Sequence, residues 1–85
     1  MSSSNPIILL LEDCPVTALL IERVIIYQFP SARLIWARTI AEARERIACV
    51  PIAVFITDIR LPDGSGLEFL DQAAAAHPSA SPELP

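Results

Sequence analysis

The chain has 85 residues, 53% of them hydrophobic, with ten acids against six bases and a formal charge of −4. That length holds one domain and excludes a two-domain enzyme, while a mean hydropathy of +0.49 excludes a disordered acidic tail. No apolar run approaches the roughly 18–20 residues that span a bilayer, and the six bases, all Arg, form no cluster beyond Arg44 and Arg46, flanked by Glu42 and Glu45, so no basic patch for nucleic acid is expected.

The elements follow in chain order. The segment Ile7–Leu11, running into Glu12, is short, apolar and β-branched at its start, as in a strand buried on both faces; a strand is expected over about 7–12. Asp13-Cys14-Pro15 breaks it, and Pro15 suits a first helical turn, where no backbone N–H is needed. A helix is expected over about 16–28, with Val16, Leu20, Val24 and Tyr27 as its apolar stripe and Leu19 and Ile26 beside it. Pro30 stops it. A second strand is expected over 33–37, with Leu34 and Trp36 on one face and Ile35 on the other. Thr39-Ile-Ala-Glu42 is a capping box. It opens a helix over about 40–50, whose stripe is Ile40, Ala43, Ile47 and Val50, and Pro51 ends it. A third strand is expected over 52–57, then a turn at Leu61-Pro62-Asp63-Gly64. Ser65-Gly66-Leu67-Glu68 is a second capping box, opening a helix over about 66–76 through Leu67, Leu70 and Ala74. Residues 77–85, with His77 before the first of three prolines, read as a loop or frayed tail.

Strands alternating with helices imply a parallel sheet with right-handed crossovers, here of the (βα)3 kind within a single domain spanning 1–85. In such a sheet ligands bind beyond the carboxyl ends of the strands. Glu12 and Asp13 leave the first strand and Asp58 leaves the third, so three acids fall at that one edge. Each has a plainer explanation alone: Asp13 as the cap of the first helix, Asp58 as a turn residue, Glu12 as a solvated acid. Together they repel unless a cation or protons intervene. Oxygen donors without His or Cys favour Mg²⁺ over zinc.

The stretch Leu9-Leu-Leu-Glu-Asp-Cys-Pro-Val16, with Phe55-Ile-Thr-Asp-Ile-Arg-Leu-Pro-Asp-Gly-Ser-Gly-Leu-Glu-Phe-Leu70, resembles the receiver domain of two-component response regulators. The likeness runs from Ile7 to about Pro78, the amino-terminal half of such a domain. It implies a flavodoxin-like α/β fold with strand order 2-1-3. Asp58 matches the phosphoacceptor, which attacks phosphohistidine on a sensor histidine kinase or phosphotransfer protein; Glu12 and Asp13 match the acidic pair that holds Mg²⁺ with Asp58. The backbone carbonyl of Arg60 matches a further metal ligand, and Pro62 and Gly66 match the loop that shapes the pocket. Cys14 stands where the family often has a polar or acidic residue.

A complete receiver has five strands and five helices, and Pro85 lies about where its fourth strand begins. The hydroxyl residue ending that strand and the lysine ending the fifth are not among these residues, and the chain has no Lys at all. Impaired phosphotransfer and absent switching are therefore expected. An open edge on the third strand and a thinly covered sheet face lead to the expectation of a homodimer. The competing function is a non-catalytic structural or dimerisation fragment of a receiver. A phosphatase of the haloacid dehalogenase type wants a second Asp two residues after the first, and position 60 is Arg. A signalling module rather than an enzyme is expected.

With no positively charged leader before Ile7, and Cys14 and Cys49 as two free thiols, a cytoplasmic protein is expected. The topology places those cysteines at opposite ends of the sheet, which excludes a disulfide. Tyr27 and Trp36 read as core or edge packing, and Arg44, Glu45 and Arg46 as a solvated helix face.

Overall fold

The computed structural model describes residues 5–76. In chain order the elements are β1 (Ile7–Leu11), α1 (Pro15–Gln28), β2 (Arg33–Ala37), α2 (Ile40–Cys49), β3 (Val54–Thr57), β4 (Arg60–Leu61), β5 (Gly64–Ser65) and α3 (Gly66–Ala76). The expected tail and His77 lie outside the described residues.

β1 is the centre of a three-stranded sheet of order β2-β1-β3. It runs parallel to β2 in the register Ile7↔Arg33 to Leu11↔Ala37, and parallel to β3 from Ile8↔Val54 to Leu11↔Thr57. This is the flavodoxin-like 2-1-3 arrangement that the resemblance to receivers implied. Leu9, Leu10 and Leu11 are fully buried. Each contributes about 1.5–3 kcal/mol on burial, which explains why an unbroken apolar run occupies the central strand.

The two sheet faces differ. Leu9, Leu11, Ala37 and Phe55 point to one side and form the main core with Ile40 and Ala43 of α2 and Phe69 and Ala73 of α3. The rings of Phe55 and Phe69 meet edge to face, with centroids 6.2 Å apart. Ile8 and Leu10 alternate to the other side and are buried, as are Ala18 and Ile25 of α1. The α2 stripe takes the expected positions, with Ile40 and Ala43 buried and Ile47 and Val50 partly so.

The stripe expected on α1 is not the buried one. Val16, Leu20, Val24 and Tyr27 are exposed, Tyr27 by 83%, and so are Leu19 and Ile26. Ala18 and Ile25 face inward, with Ile21 and Glu22 half-buried. The reason is compositional. α1 carries apolar residues all round, so helical spacing finds a stripe on more than one face and cannot rank them. Tyr27 accordingly has no packing role, whereas Trp36 sits at the open edge of β2, 37% exposed. In α3 the buried positions are Phe69 and Ala73 with Leu70 and Ala74 half-buried, while Leu67 is exposed. Leu67 lies in the first turn, ahead of where the helix meets β3. β3 itself is shorter than expected, beginning at Val54, although Ala53 N–H still donates to the Ile7 carbonyl at 2.8 Å.

The expected turn at 61–64 is a hairpin. β4 and β5 pair antiparallel, Arg60↔Ser65 and Leu61↔Gly64, around Pro62 and Asp63. Gly64 has φ of +149°, a conformation L side chains rarely adopt, which is why glycine follows the Pro-Asp tip. Cys14 and Cys49 are free and exposed.

The two faces of α1 make opposite predictions. Ile25→Ala should lower the unfolding free energy by about 2–5 kcal/mol, whereas Val24→Ala next to it should stay within about 0.5 kcal/mol. Urea denaturation of the two variants checks this; similar losses would return Val24 to the core.

Candidate functional site

The register of the sheet builds the site. β1 and β3 are neighbours, and they end level, at Leu11↔Thr57. The residues that follow, Glu12, Asp13 and Asp58, therefore emerge side by side. Each offers a carboxylate oxygen such that all three lie within 4.8 Å of one another. Asp58 N–H donates to the Leu11 carbonyl at 3.0 Å, extending the ladder by one bond up to the acid itself.

The plainer explanations for the acids divide. Asp13 is not the α1 cap. Cys14 occupies that position and makes no side-chain cap bond, so the exposed Asp13 carboxylate is free of that duty. Glu12 is not solvated either: it is only 7% exposed, and its Oε2 accepts from Cys14 N–H at 3.1 Å. Asp58 keeps part of a turn role, since its Oδ1 accepts from Ile59 N–H at 2.8 Å. The neighbouring Thr17 side chain holds the Cys14 thiol below its ordinary pKa.

The donor set suits one class of ion. Three carboxylates at this spacing repel one another unless positive charge joins them. Hard oxygen donors, two on exposed side chains that leave room for water, fit Mg²⁺ better than zinc.

The loop after Asp58 is fixed at both ends. Ile59 carbonyl accepts from Gly66 N–H at 2.8 Å, closing the hairpin onto the start of α3. Gly66 is buried, and a Cβ there would overlap the Asp58 carbonyl oxygen and Thr57 Oγ1. Only glycine lets α3 begin this close to the acid. Ser65 Oγ accepts from Glu68 N–H at 3.3 Å, the first half of the expected capping box. Arg60 opens β4, opposite Ser65. Pro62, at the hairpin tip, lines a shallow groove with Asp13, Arg38, Thr39 and Glu42.

Two residues beside the site carry bonds that sequence reasoning did not assign. Asp63 was legible only as a turn residue. Its Oδ1 accepts from Ile40 N–H at 2.9 Å and its Oδ2 from Ala41 N–H at 3.0 Å, so it caps α2 from the hairpin. Thr39 Oγ1 takes Glu42 N–H at 3.1 Å, as its capping box requires, but Glu42 Oε1 reaches back to Arg38 N–H at 2.9 Å. The local cap and the distant one thus divide the free amides of α2. A 23-residue separation leaves no local pattern by which the Asp63 bond is foreseen. Trp36 is the other: its Nε1–H donates to the Glu12 carbonyl at 2.7 Å.

No family model matches the chain. Over 42 residues, 49% of the chain, it is 48% identical to the response regulator protein PilR of Pseudomonas aeruginosa, and that stretch is 9% of PilR. The chain is thus similar to response regulators, and to receiver domains over part of their length. The receiver structures it superposes on agree. MaeR bound to beryllium trifluoride matches with a TM-score of 0.83 and 26% identity, over 94% of this chain and 66% of that one. A CheY-like receiver domain from Methanospirillum hungatei gives 0.76 and 29%, over 93% of this chain and 62% of that one. The response regulator TrrA of Thermotoga maritima, in complex with Mg²⁺ and BeF, shares the fold at 0.79 and 23%, over 91% of this chain and 65% of that one. The chain thus spans about two thirds of these receivers and a small part of PilR. Among the described residues no helix is long and apolar enough to cross a membrane.

The Asp63 cap makes a pH prediction. Its bond from Ile40 N–H holds the Asp63 carboxyl below the usual carboxylate range. A depressed folded-state pKa adds stability above the unfolded value of about 3.9, and loses it as pH falls through the folded value. Asp63→Ala should lower the Tm by a few degrees at neutral pH. The gap from wild type should close as the pH is taken below about 4. Thermal melts across pH check it; a gap that persists in acid would mean the carboxylate charge is not what caps α2.

Proposed function

We propose that the chain is a phosphoacceptor receiver module of a two-component system. An Asp58 carboxylate oxygen attacks the phosphorus of a phosphohistidine on a sensor histidine kinase or phosphotransfer protein. The P–N bond breaks, the imidazole leaves with its electron pair, and an aspartyl phosphate remains. The convergence of Glu12, Asp13 and Asp58 at the ends of adjacent strands carries this reading. The bound state of MaeR supports it, since beryllium trifluoride has the shape and charge of a phosphoryl group.

In this reading Glu12, Asp13, Asp58 and the Arg60 carbonyl hold Mg²⁺. The ion supplies charge neutralisation for the transferred group. The chain's own residues do the rest. The two ladders of β1 fix the direction in which the acids leave the sheet, and Gly66 lets α3 close over the loop without displacing Asp58. The module works in the cytoplasm, as a substrate of its kinase rather than as an enzyme. The 85 residues contain no Lys. A polypeptide of these residues alone is therefore expected to take phosphate more slowly than a complete receiver, and not to switch.

One observation favours a second, structural reading. Among the described residues β3 is an edge of the sheet, and Val54 and Ile56 on its α1 side are only half-buried. Open strand edges recruit strands from other chains. A second copy pairing through this edge or covering that face would make the polypeptide a homodimer.

Two measurements test these readings. Intact mass after incubation with a small-molecule phosphodonor should show one phosphoryl adduct that needs Mg²⁺ and is absent from Asp58→Asn. An adduct that survives Asp58→Asn refutes Asp58 as acceptor; no adduct in the wild type leaves the structural reading in possession. Sedimentation equilibrium should give a dimer, and cooperative unfolding of a monomer at high dilution would remove the dimer.

A further inference from the structure

Glu12 is tied down at three atoms. Its N–H donates to the Ala37 carbonyl at 3.0 Å, its Oε2 accepts from Cys14 N–H at 3.1 Å, and its carbonyl accepts from Trp36 Nε1–H at 2.7 Å. The first bond continues the ladder between β1 and β2 by one step. The third does not belong to the ladder. The backbone ladder ends where the chain leaves β2 after Ala37. A side chain of β2 thus supplies the donor to the Glu12 carbonyl.

The consequence follows from peptide geometry. The Glu12 carbonyl and the Asp13 N–H belong to one rigid plane. Pinning the oxygen at one edge of that plane fixes where Asp13 begins. Glu12 and Asp13 are consecutive, so their side chains diverge unless the peptide between them is turned to bring both carboxylates toward Asp58. The indole N–H bonds the oxygen of that peptide. The ring is itself restrained, because the Arg38 guanidinium lies 5.4 Å from its centroid. Arg38 also lines the groove with Asp13.

We propose that Trp36 is a positioning residue for the acidic site: its indole N–H sets the Glu12–Asp13 peptide so that both carboxylates converge on Asp58. This rests on the reading that these three acids hold a divalent cation. The groups of such a site must be held within about 0.5 Å of their working geometry by the residues around them. A hydrogen bond that aims the acids should therefore be felt in cation affinity as well as in folding.

The test is Mg²⁺ titration by calorimetry of three proteins, each held well below its own Tm: wild type, Trp36→Phe, and a synthetic chain with β-(3-benzothienyl)alanine at 36. The last keeps the shape of the indole and replaces only its N–H by sulfur, so it stays informative if the smaller ring of Trp36→Phe disturbs the edge of β2. Loss of one hydrogen bond should weaken Mg²⁺ binding about 3- to 10-fold in both altered chains. A merely structural Trp36 would lower the Tm and leave the affinity of the folded chain unchanged, and that result overturns the proposal. Failure of the reading beneath it is separately visible, in the wild type alone: a folded wild-type chain that takes up no Mg²⁺ removes the cation site and, with it, any role for Trp36 in aiming it.

Discussion

Both edges of β1 are hydrogen-bonded to parallel neighbours, and the rest of the structure depends on that double pairing. A strand in this position must be apolar on both faces, which is why Ile8 to Leu11 are buried without alternation. It must also end somewhere, and the first residue after it is the last that the packed structure still covers. Glu12 stands at that boundary, with its backbone still in the ladder and its carboxyl at the rim. Because β1 and β3 end at the same level, the acid beyond each strand arrives beside the other. The site is thus a product of strand register, and a slip of one residue between β1 and β3 would separate its parts.

Around this frame, the loops act through contacts distant in sequence. Asp63 joins the hairpin to α2, Gly66 joins it to the floor of the site, and Arg44 spans from α2 to α3 through Gln72 at 2.6 Å. The guanidinium of Arg44 also lies 5.9 Å from the Phe69 ring centroid. A residue on a solvated helix face therefore also seals the top of the core with its stem and charge.

What was legible in the sequence follows from the range of the interactions concerned. The strands of the sheet and the acids at their ends are written locally, in apolar runs that stop at Glu12 and Asp58. The capping boxes at Thr39 and Ser65 are local too, and both form their Ser/Thr half. Strand order came only with the resemblance to receivers. The buried face of α1 was not legible, because a helix apolar on every side has no directional signal; the sheet chooses Ala18 and Ile25, small enough or well enough placed to let the helix lie close. The two-residue strands β4 and β5 are too short to carry a period. The Trp36 and Asp63 bonds span 24 and 23 residues, beyond any spacing rule. At the site, then, the acids were readable, while the groups that aim them and brace the loop were not.

The arrangement at Asp63 has a bearing on motion. A helix usually carries its own cap, so a loop nearby can swing without disturbing it. Here Thr39 caps only the Glu42 amide, and the cap of the first two amides of α2 travels with the hairpin that follows Asp58. Any outward excursion of that hairpin strips the Ile40 and Ala41 amides of their acceptor and invites the first turn of α2 to fray. Opening beside the acids and loosening at the far loop are then one event with one free energy, and amide hydrogen exchange at Ile40 and Ala41 is a clock for it.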